Sequence, residues 1–300
     1  MRKIDYWAGL APSMVTQVNL TYLEQRGFRH IVLIANEARD YAQERALILS
    51  LGFTCSLDVE QLIWGGNNPA LNNTPIQTFA YMFKMWHDAG WAQFGTEGGR
   101  EGDDKFIQQY GRFEFYNCDH CGLWGGYKFH VSADVVSWET YAWDELPFIK
   151  QGALERPLGK PQGILLGVWK WDNAMRVDDS GNPTHRNYKD LLDWSFENGV
   201  NFSHVHVWFS LNQVFDVTDP NKNSYENLGF DKIIRDLQVD YPANPLGDAP
   251  KPSQTLDDLL GPVEHTADRY EWRPKGEVAY FGGKVYYLLK EEKEWKEWKP

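Results

Sequence analysis

Hydrophobic and polar positions along the chain follow two alternating periods. Short β-rich runs, some continuously apolar, are each followed by a stretch in which apolar residues recur at helical spacing. HIVLIAN (His30–Asn36) is a continuous apolar run, suited to a parallel strand buried on both faces. ARDYAQERALILSLG then reads as a helix and FTCSLDVE as the next strand. Ahead of them, Asp5 to Gly9 reads as a strand. Pro12 then opens a helix with Val15, Val18 and Tyr22 on one face and Gly27 at its end. Thr74 and Pro75 form an N-cap and first-turn pair for a helix in which Ile76, Phe79, Ala80, Phe83 and Trp86 recur up to Gly90.

WAQFGTEGG reads as a strand, DDKFIQQYG as a short helix and RFEFYNC as another strand. YKFHVS (Tyr127–Ser132) reads as a short strand, and ADVVSWETYAWDELPFIKQ as a helix with Trp138 and Trp143 in its packing. GILLGVWKWDN is a strand, THRNYKDLLDWSFENG a helix closed by Gly199, NFSHVHVWFS a strand and FDKIIRDLQV a last helix. The count is eight strands with YKFHVS and seven without it.

Repeated strand–helix units imply a parallel α/β fold. This many units before Val239 match a (β/α)₈ TIM-type barrel, which takes about 250 residues. The competing doubly wound sheet needs a Gly-rich phosphate turn, and GTEGGREG has neither its spacing nor a Lys-Ser/Thr pair. The predicted domains are therefore a barrel over 1–240 and an extension over 241–300. The extension starts as a Pro-rich linker and continues as a β-hairpin, EVAYF-GG-KVYYLL, turning at Gly282-Gly283. It is expected to pack on or beside the barrel and is a candidate surface for self-association.

Alternate residues of a barrel strand point to the axis and the others to the helices. Placing the apolar parity outward aims Asp58 and Glu60 at the axis, with Leu57 and Val59 outward. By the same rule Gln93, Gly95 and Glu97, then Glu114 and Tyr116, then His204, His206 and Trp208 face inward, as do Asp5 and Trp7. In the penultimate strand Leu166, Val168 and Lys170 share one face and Gly167, Trp169 and Trp171 the other, and the pattern does not choose between them. Unpaired buried carboxylates cost several kcal/mol each, so an interior this polar pairs its charges or uses them.

The net charge of −12 disfavours nucleic acid and anionic membrane surfaces as partners. No apolar run reaches the ~18 residues of a membrane span. No secretory signal is visible in MRKIDYWAGLAPS, so the expected location is cytoplasmic, or that of a phage product released by lysis. Cys55, Cys118 and Cys121 make no disulfide framework. CDHC (Cys118–Cys121) has zinc-knuckle spacing without a second ligand pair nearby, which leaves a zinc site or a bridged or reduced loop. The fourteen tryptophans matter most where they fall at strand ends.

Carboxylates ringed by aromatics suit a glycoside-cleaving cleft. One carboxyl protonates the leaving oxygen, another attacks or activates water, and indoles stack on the sugar. Glu97 is the candidate general acid, Glu60 its partner and Asp58 the residue that tunes the pair. Asp5, Trp7, Trp64, Tyr116, Asp119, Trp171, Asp172, His204, His206 and Trp208 are candidate substrate-binding residues. No cofactor is required, and an oligo- or polysaccharide is the expected partner. Two alternatives stay open: a metal-dependent hydrolase using His204 and His206, and a non-catalytic carbohydrate-binding virion or surface protein.

The LDVE of Leu57–Glu60 resembles the Asp-x-Glu strand motif of family-25 lysozymes, and IDYWAG is loosely similar to that family's N-terminal strand. That resemblance implies Asp5, Asp58 and Glu60 as site residues, with Glu60 as the acid. It covers about 60 residues, and the motif falls one strand early. The chain also resembles (β/α)₈ glycoside hydrolases in general, which often carry a catalytic Glu at the end of strand four, where Glu97 stands.

Overall fold

A computed structural model describes residues 2–63, 75–97, 99–117, 128–168, 174–200, 202–209 and 213–245, and the backbone of three strands between 276 and 297. Eight parallel strands close into a barrel in chain order: β1 (Asp5–Leu10), β2 (Phe28–Ile34), β3 (Thr54–Asp58), β4 (Gln93–Thr96), β5 (Arg112–Asn117), β6 (Val135–Glu139), β7 (Gln162–Val168) and β8 (His204–Phe209). β8 pairs back onto β1, with Trp7 opposite His206. This is the (β/α)₈ architecture that the sequence pattern implies.

The surrounding helices are α1 (Gln17–Gln25), α2 (Ala42–Ser50), the single turn α3 (Glu60–Ile63), α4 (Ala80–Asp88) and α5 (Asp103–Ile107). The single turn α6 (Phe129–Ser132), α7 (Leu146–Glu155), α8 (Arg186–Glu197), the single turn α9 (Ser224–Asn227) and α10 (Phe230–Asp240) complete the set among the described residues. The main core lies between strands and helices. Tyr6, Leu33, Leu57, Phe94, Phe113, Val136, Leu166 and Val207 all point outward into it. A second, smaller cluster fills the axis: Trp7, Val32, Tyr116, Val135 and Leu165. These two clusters resolve the ambiguous parity of β7, since Leu166 and Val168 belong to the outer one and Leu165 to the axis.

The sequence reading fails in two places. The helix expected from Pro12 is broken, because Thr16 takes an extended backbone and caps α1 through its side chain (Asn19 N to Thr16 Oγ1, 3.2 Å). Val18 is left on the surface. The sixth strand is not YKFHVS. Phe129–Ser132 is a helical turn that lays Phe129 against Phe113 and Phe115, and the strand is Val135–Glu139, inside the stretch expected to be helical. Trp138 packs from that strand and not from a helix, and Trp143 is exposed. The missed signal was Pro147 in the first turn of α7, with the Glu145 carboxylate accepting from the N–H groups of Tyr141 and Ala142 (2.8 and 3.1 Å). A helix starting there leaves VVSWE free to be a strand. Thr74 lies outside the described residues, and Gly90 ends α4 at φ +88° as expected.

The chain divides into two compact units, Met1–Pro250 and Lys251–Pro300. Within the first, residues 241–244 run beneath β1: Tyr6 Oη donates to the Tyr241 carbonyl (2.7 Å) and Ile4 bridges Ala243. In the second, β9 (Gly276–Phe281) and β10 (Lys284–Leu289) form an antiparallel hairpin closed by Phe281 opposite Lys284, and β11 (Lys296–Glu297) adds to β10. No described helix is long and apolar enough to cross a membrane.

Candidate functional site

Inward-facing side chains divide by height along the axis. In the lower half the Trp7 indole stacks on His204 (3.9 Å between centroids, 7° between planes) and leans against His30 at 4.3 Å. His30 contacts Thr54 Oγ1 through Nδ1 (2.8 Å) and Ser56 Oγ through Nε2 (3.0 Å). Ser56 Oγ and Gln93 Nε2 both donate to Glu114 Oε2, at 3.1 and 2.7 Å. Ser137 Oγ reaches the other oxygen at 3.5 Å and sits 3.0 Å from His204 Nε2 and 3.4 Å from His206 Nδ1. Burial holds this line of groups near neutrality. It lowers His30 and His204 to about 3, and raises Glu114 to about 7 against the donors that favour its anion.

The upper half is built around three carboxyls. Asp58 ends β3 and Glu60 starts α3 two residues on, where the Glu60 N–H donates to Asp58 Oδ1 (3.0 Å). β3 and β4 continue in register beyond their ends, with Val59 N–H donating to the Gly95 carbonyl (2.9 Å). That register delivers Glu97, whose N–H donates to Glu60 Oε2 (3.0 Å), so the two acidic residues adjoin. Burial raises Glu60 well above the usual carboxylate range, and the charges of Glu97 and Asp58 push it further. Burial likewise raises Asp58, with Glu114 and Glu97 adding to the shift. Glu60 is therefore held toward its protonated form among acidic neighbours.

Tyr116 enters from β5 and crosses β4 where a side chain would block it. Its Oη lies 1.9 Å from the place a Cβ on Gly95 would occupy. Its ring is 5.0 Å from Trp208 and 5.8 Å from His206. Gly9 plays a matching part on β1, since a Cβ there would meet Trp208 at 2.6 Å and His206 Nε2 at 3.1 Å. Among the described residues, three buried polar atoms in this upper half have no hydrogen-bond partner: Asp58 Oδ2, Tyr116 Oη and His206 Nε2.

The structure brings together Asp58, Glu60 and Glu97, and sets Tyr116, His206 and Trp208 on the same axis. It places three candidates elsewhere. Asp5 is the first residue of β1, at the opposite end of the barrel, where it accepts from Asn244 Nδ2 (2.8 Å) and lies 3.5 Å from Arg29. His204 opens β8 at that same end, fully buried. Trp7 is a filler of the axis, sealed against His204 and His30 and not at the mouth. His204 Nε2 and His206 Nδ1 both turn to Ser137, and among the described residues no group of three His, Cys, Asp or Glu side chains converges on an ion site. Trp64, Asp119, Trp171, Asp172 and the Cys118–Cys121 motif lie outside the described residues.

Glu139 is the acidic residue that the sequence reading passed over. It ends β6 on the axial parity of Val135 and Ser137 and is buried. Assigning that segment to a helix hid it, although the alternation of VVSWE carries the signal. A cavity of about 250 Å³, lined by Arg156, Lys160, Gln162 and Ser203 among others, lies at the N-terminal ends of β7 and β8, far from the carboxyls. Barrel chemistry sits at C-terminal strand ends, so this cavity belongs to the underside.

No protein-family model matches the chain, and no curated protein matches it in sequence. Among solved structures, a sugar phosphate isomerase/epimerase from Parabacteroides distasonis ATCC 8503 aligns with a TM-score of 0.47 at 11% identity, over 78% of this chain and 93% of that one. An HpcH/HpaI aldolase from Desulfitobacterium hafniense DCB-2 aligns with a TM-score of 0.42 at 8% identity, over 81% and 96%. Likeness of that degree says nothing about activity. The barrel rests on its own strand pairing, and fold and site together define a (β/α)₈ barrel with an acidic, aromatic-lined mouth.

Proposed function

We propose that the protein is an enzyme acting on a carbohydrate by acid–base catalysis, with the Glu60–Glu97 pair as its proton-holding unit. The supporting observation is the meeting of these two residues at the C-terminal ends of neighbouring strands, where the Glu97 N–H donates to Glu60 Oε2, on the axis that Tyr116 and Trp208 share. Glu60 is the proton donor, raised by burial and by its acidic neighbours. This reverses the roles favoured from sequence spacing and agrees with the role that the LDVE resemblance gives Glu60.

Hydrolysis of a glycosidic bond is the first reaction to test. It requires the two working carboxyls about 5–5.5 Å apart for retention or about 6.5–9.5 Å for inversion. A sugar entering the mouth would have to part Glu60 from Glu97, or one of them would work with another carboxylate such as Glu139. The closeness of the two residues favours a second reading: a protonated Glu60 beside Glu97 suits intramolecular proton transfer on a sugar, as in aldose–ketose interconversion, where no atom must fit between the carboxyls.

One experiment separates the two. Purified protein is incubated in D₂O with a panel of glycans and with their monosaccharides. New reducing ends mean hydrolysis, and deuterium on sugar carbon means proton transfer. Glu60→Gln should abolish whichever product forms. Sugar binding with no product of either kind would leave a non-catalytic carbohydrate-binding protein.

A further inference from the structure

We propose that Asp58 Oδ2 and Tyr116 Oη form a subsite beneath the Glu60–Glu97 pair that holds one hydroxyl group of a neutral sugar. The inference rests on the carbohydrate reading above and adds to it the group that is recognised. Both residues are almost wholly shielded, at 0% and 2% exposure, and neither atom has a hydrogen-bond partner among the described residues. A buried polar atom left without a partner is costly, so the two together mark a place where a ligand or water supplies the missing bonds.

Their adjacency follows from register. Asp58 pairs with Gly95 across β3 and β4, and Tyr116 Oη lies against the Cα of that same glycine. Asp58 is also among the charges that raise the Tyr116 phenol, after burial and Glu114. The bare backbone at Gly95 is therefore what lets the phenol reach the carboxyls.

The chemistry of the two atoms selects the guest. A phenol kept protonated donates, and a carboxyl oxygen accepts when bare or donates when it holds a proton. A hydroxyl answers both at once: its oxygen takes the Tyr116 proton, and it either gives its own to Asp58 Oδ2 or accepts a second proton from it. An ammonium group has no acceptor for the phenol, and a phosphate would face Asp58, Glu60 and Glu97 at close range.

The test uses the full chain, with D-glucose, D-galactose, D-mannose and D-xylose as probes in calorimetric titration, alongside thermal unfolding. At least one sugar should bind. Tyr116→Phe and Asp58→Asn should each weaken that binding about tenfold, the worth of a hydrogen bond to a buried group. Tyr116→Phe should melt at or above the wild-type temperature, because it removes an unpartnered hydroxyl and nothing else. The proposal is overturned if no sugar binds, if Tyr116→Phe binds as wild type does (the result expected of an ordered water alone), or if it melts several degrees lower. Turnover of a glycan together with Tyr116-independent binding removes the subsite and spares the enzymatic reading. Tyr116-dependent binding with no turnover of any glycan removes that reading and spares the subsite.

Discussion

The two halves of the barrel axis use the same kinds of residue to opposite ends. Below, Glu114 sits among Ser56, Gln93 and Ser137, and each of the three donates to it. His30 bridges two hydroxyls, and Trp7 closes the layer by stacking. Above, Asp58 leaves one oxygen bare, Tyr116 its hydroxyl and His206 one ring nitrogen, and Glu60 accepts from the Glu97 N–H among acidic neighbours. A satisfied buried network specifies a fold; a half-satisfied one costs stability and persists where it serves a ligand. The inward parity of a carboxylate therefore does not identify it as catalytic, while the state of its hydrogen bonds separates the two cases.

The largest expected effect falls on the upper half. Glu60→Gln and Glu97→Gln should each lower turnover about 10²–10⁴-fold, the usual worth of a general acid or base, with little change in melting temperature. Steady-state kinetics on whichever substrate the D₂O panel yields, beside a melting curve, checks both parts. A variant that lost stability as severely as activity would place the pair with the architecture below.

Trp7→Ala carries the largest structural effect. Removing an indole sealed between His30 and His204 should cost about 3–5 kcal/mol by denaturant unfolding. Wild-type stability in that variant would show that the lower half is not the packed floor described here.

A smaller effect depends on pH. Glu114 is raised from 4.5 to about 7, so between those values the folded chain holds a proton that the unfolded chain has released. Its contribution to stability is full below pH 4.5 and is lost as pH rises through about 7. His30 and His204, lowered from 6.5 to about 3, act in the other direction: their contribution is full above pH 6.5 and is lost as pH falls toward 3. Glu114→Gln removes only the first slope. The stability of the variant relative to wild type should climb across the window from 4.5 to 7, by on the order of 3 kcal/mol, and then level off. Parallel curves for the two proteins would mean that Glu114 is ionised in the fold.

Much of this contrast was legible in the sequence, because period-two alternation fixes which residues face the axis. Leu57 and Val59 force Asp58 inward, and Phe113 and Phe115 force Glu114 inward, whatever the loops do. Height along the axis was not legible. Asp5 and Trp7 share a parity with Glu97, yet Asp5 lies at the far end and Trp7 is packed into the layer below, because height depends on the stagger of neighbouring strands and that comes only with pairing. Glu139 was lost for another reason: the helical stretch that opens at Pro147 hides VVSWE, whose Val and Trp residues favour the strand that pairs with β5 and β7. Hydrogen-bond satisfaction was equally out of reach, since Ser137 closes the lower network from a strand that the pattern did not reveal.

The smallest expected effect tests the border between the halves. Gly95→Ala would put a methyl 1.9 Å from Tyr116 Oη and 2.4 Å from its Cζ. The ring is held by Trp208 and His206, so it cannot swing aside freely, and the substitution should cost about 1–3 kcal/mol. Tyr116→Phe removes the nearer clash and leaves the one at the ring carbon. The double variant should therefore recover part of the loss, with a coupling of about 0.5–3 kcal/mol between the sites. Strictly additive losses would mean that the glycine is not there to make room for the phenol, and that Tyr116 reaches the carboxyls by some other allowance of the fold.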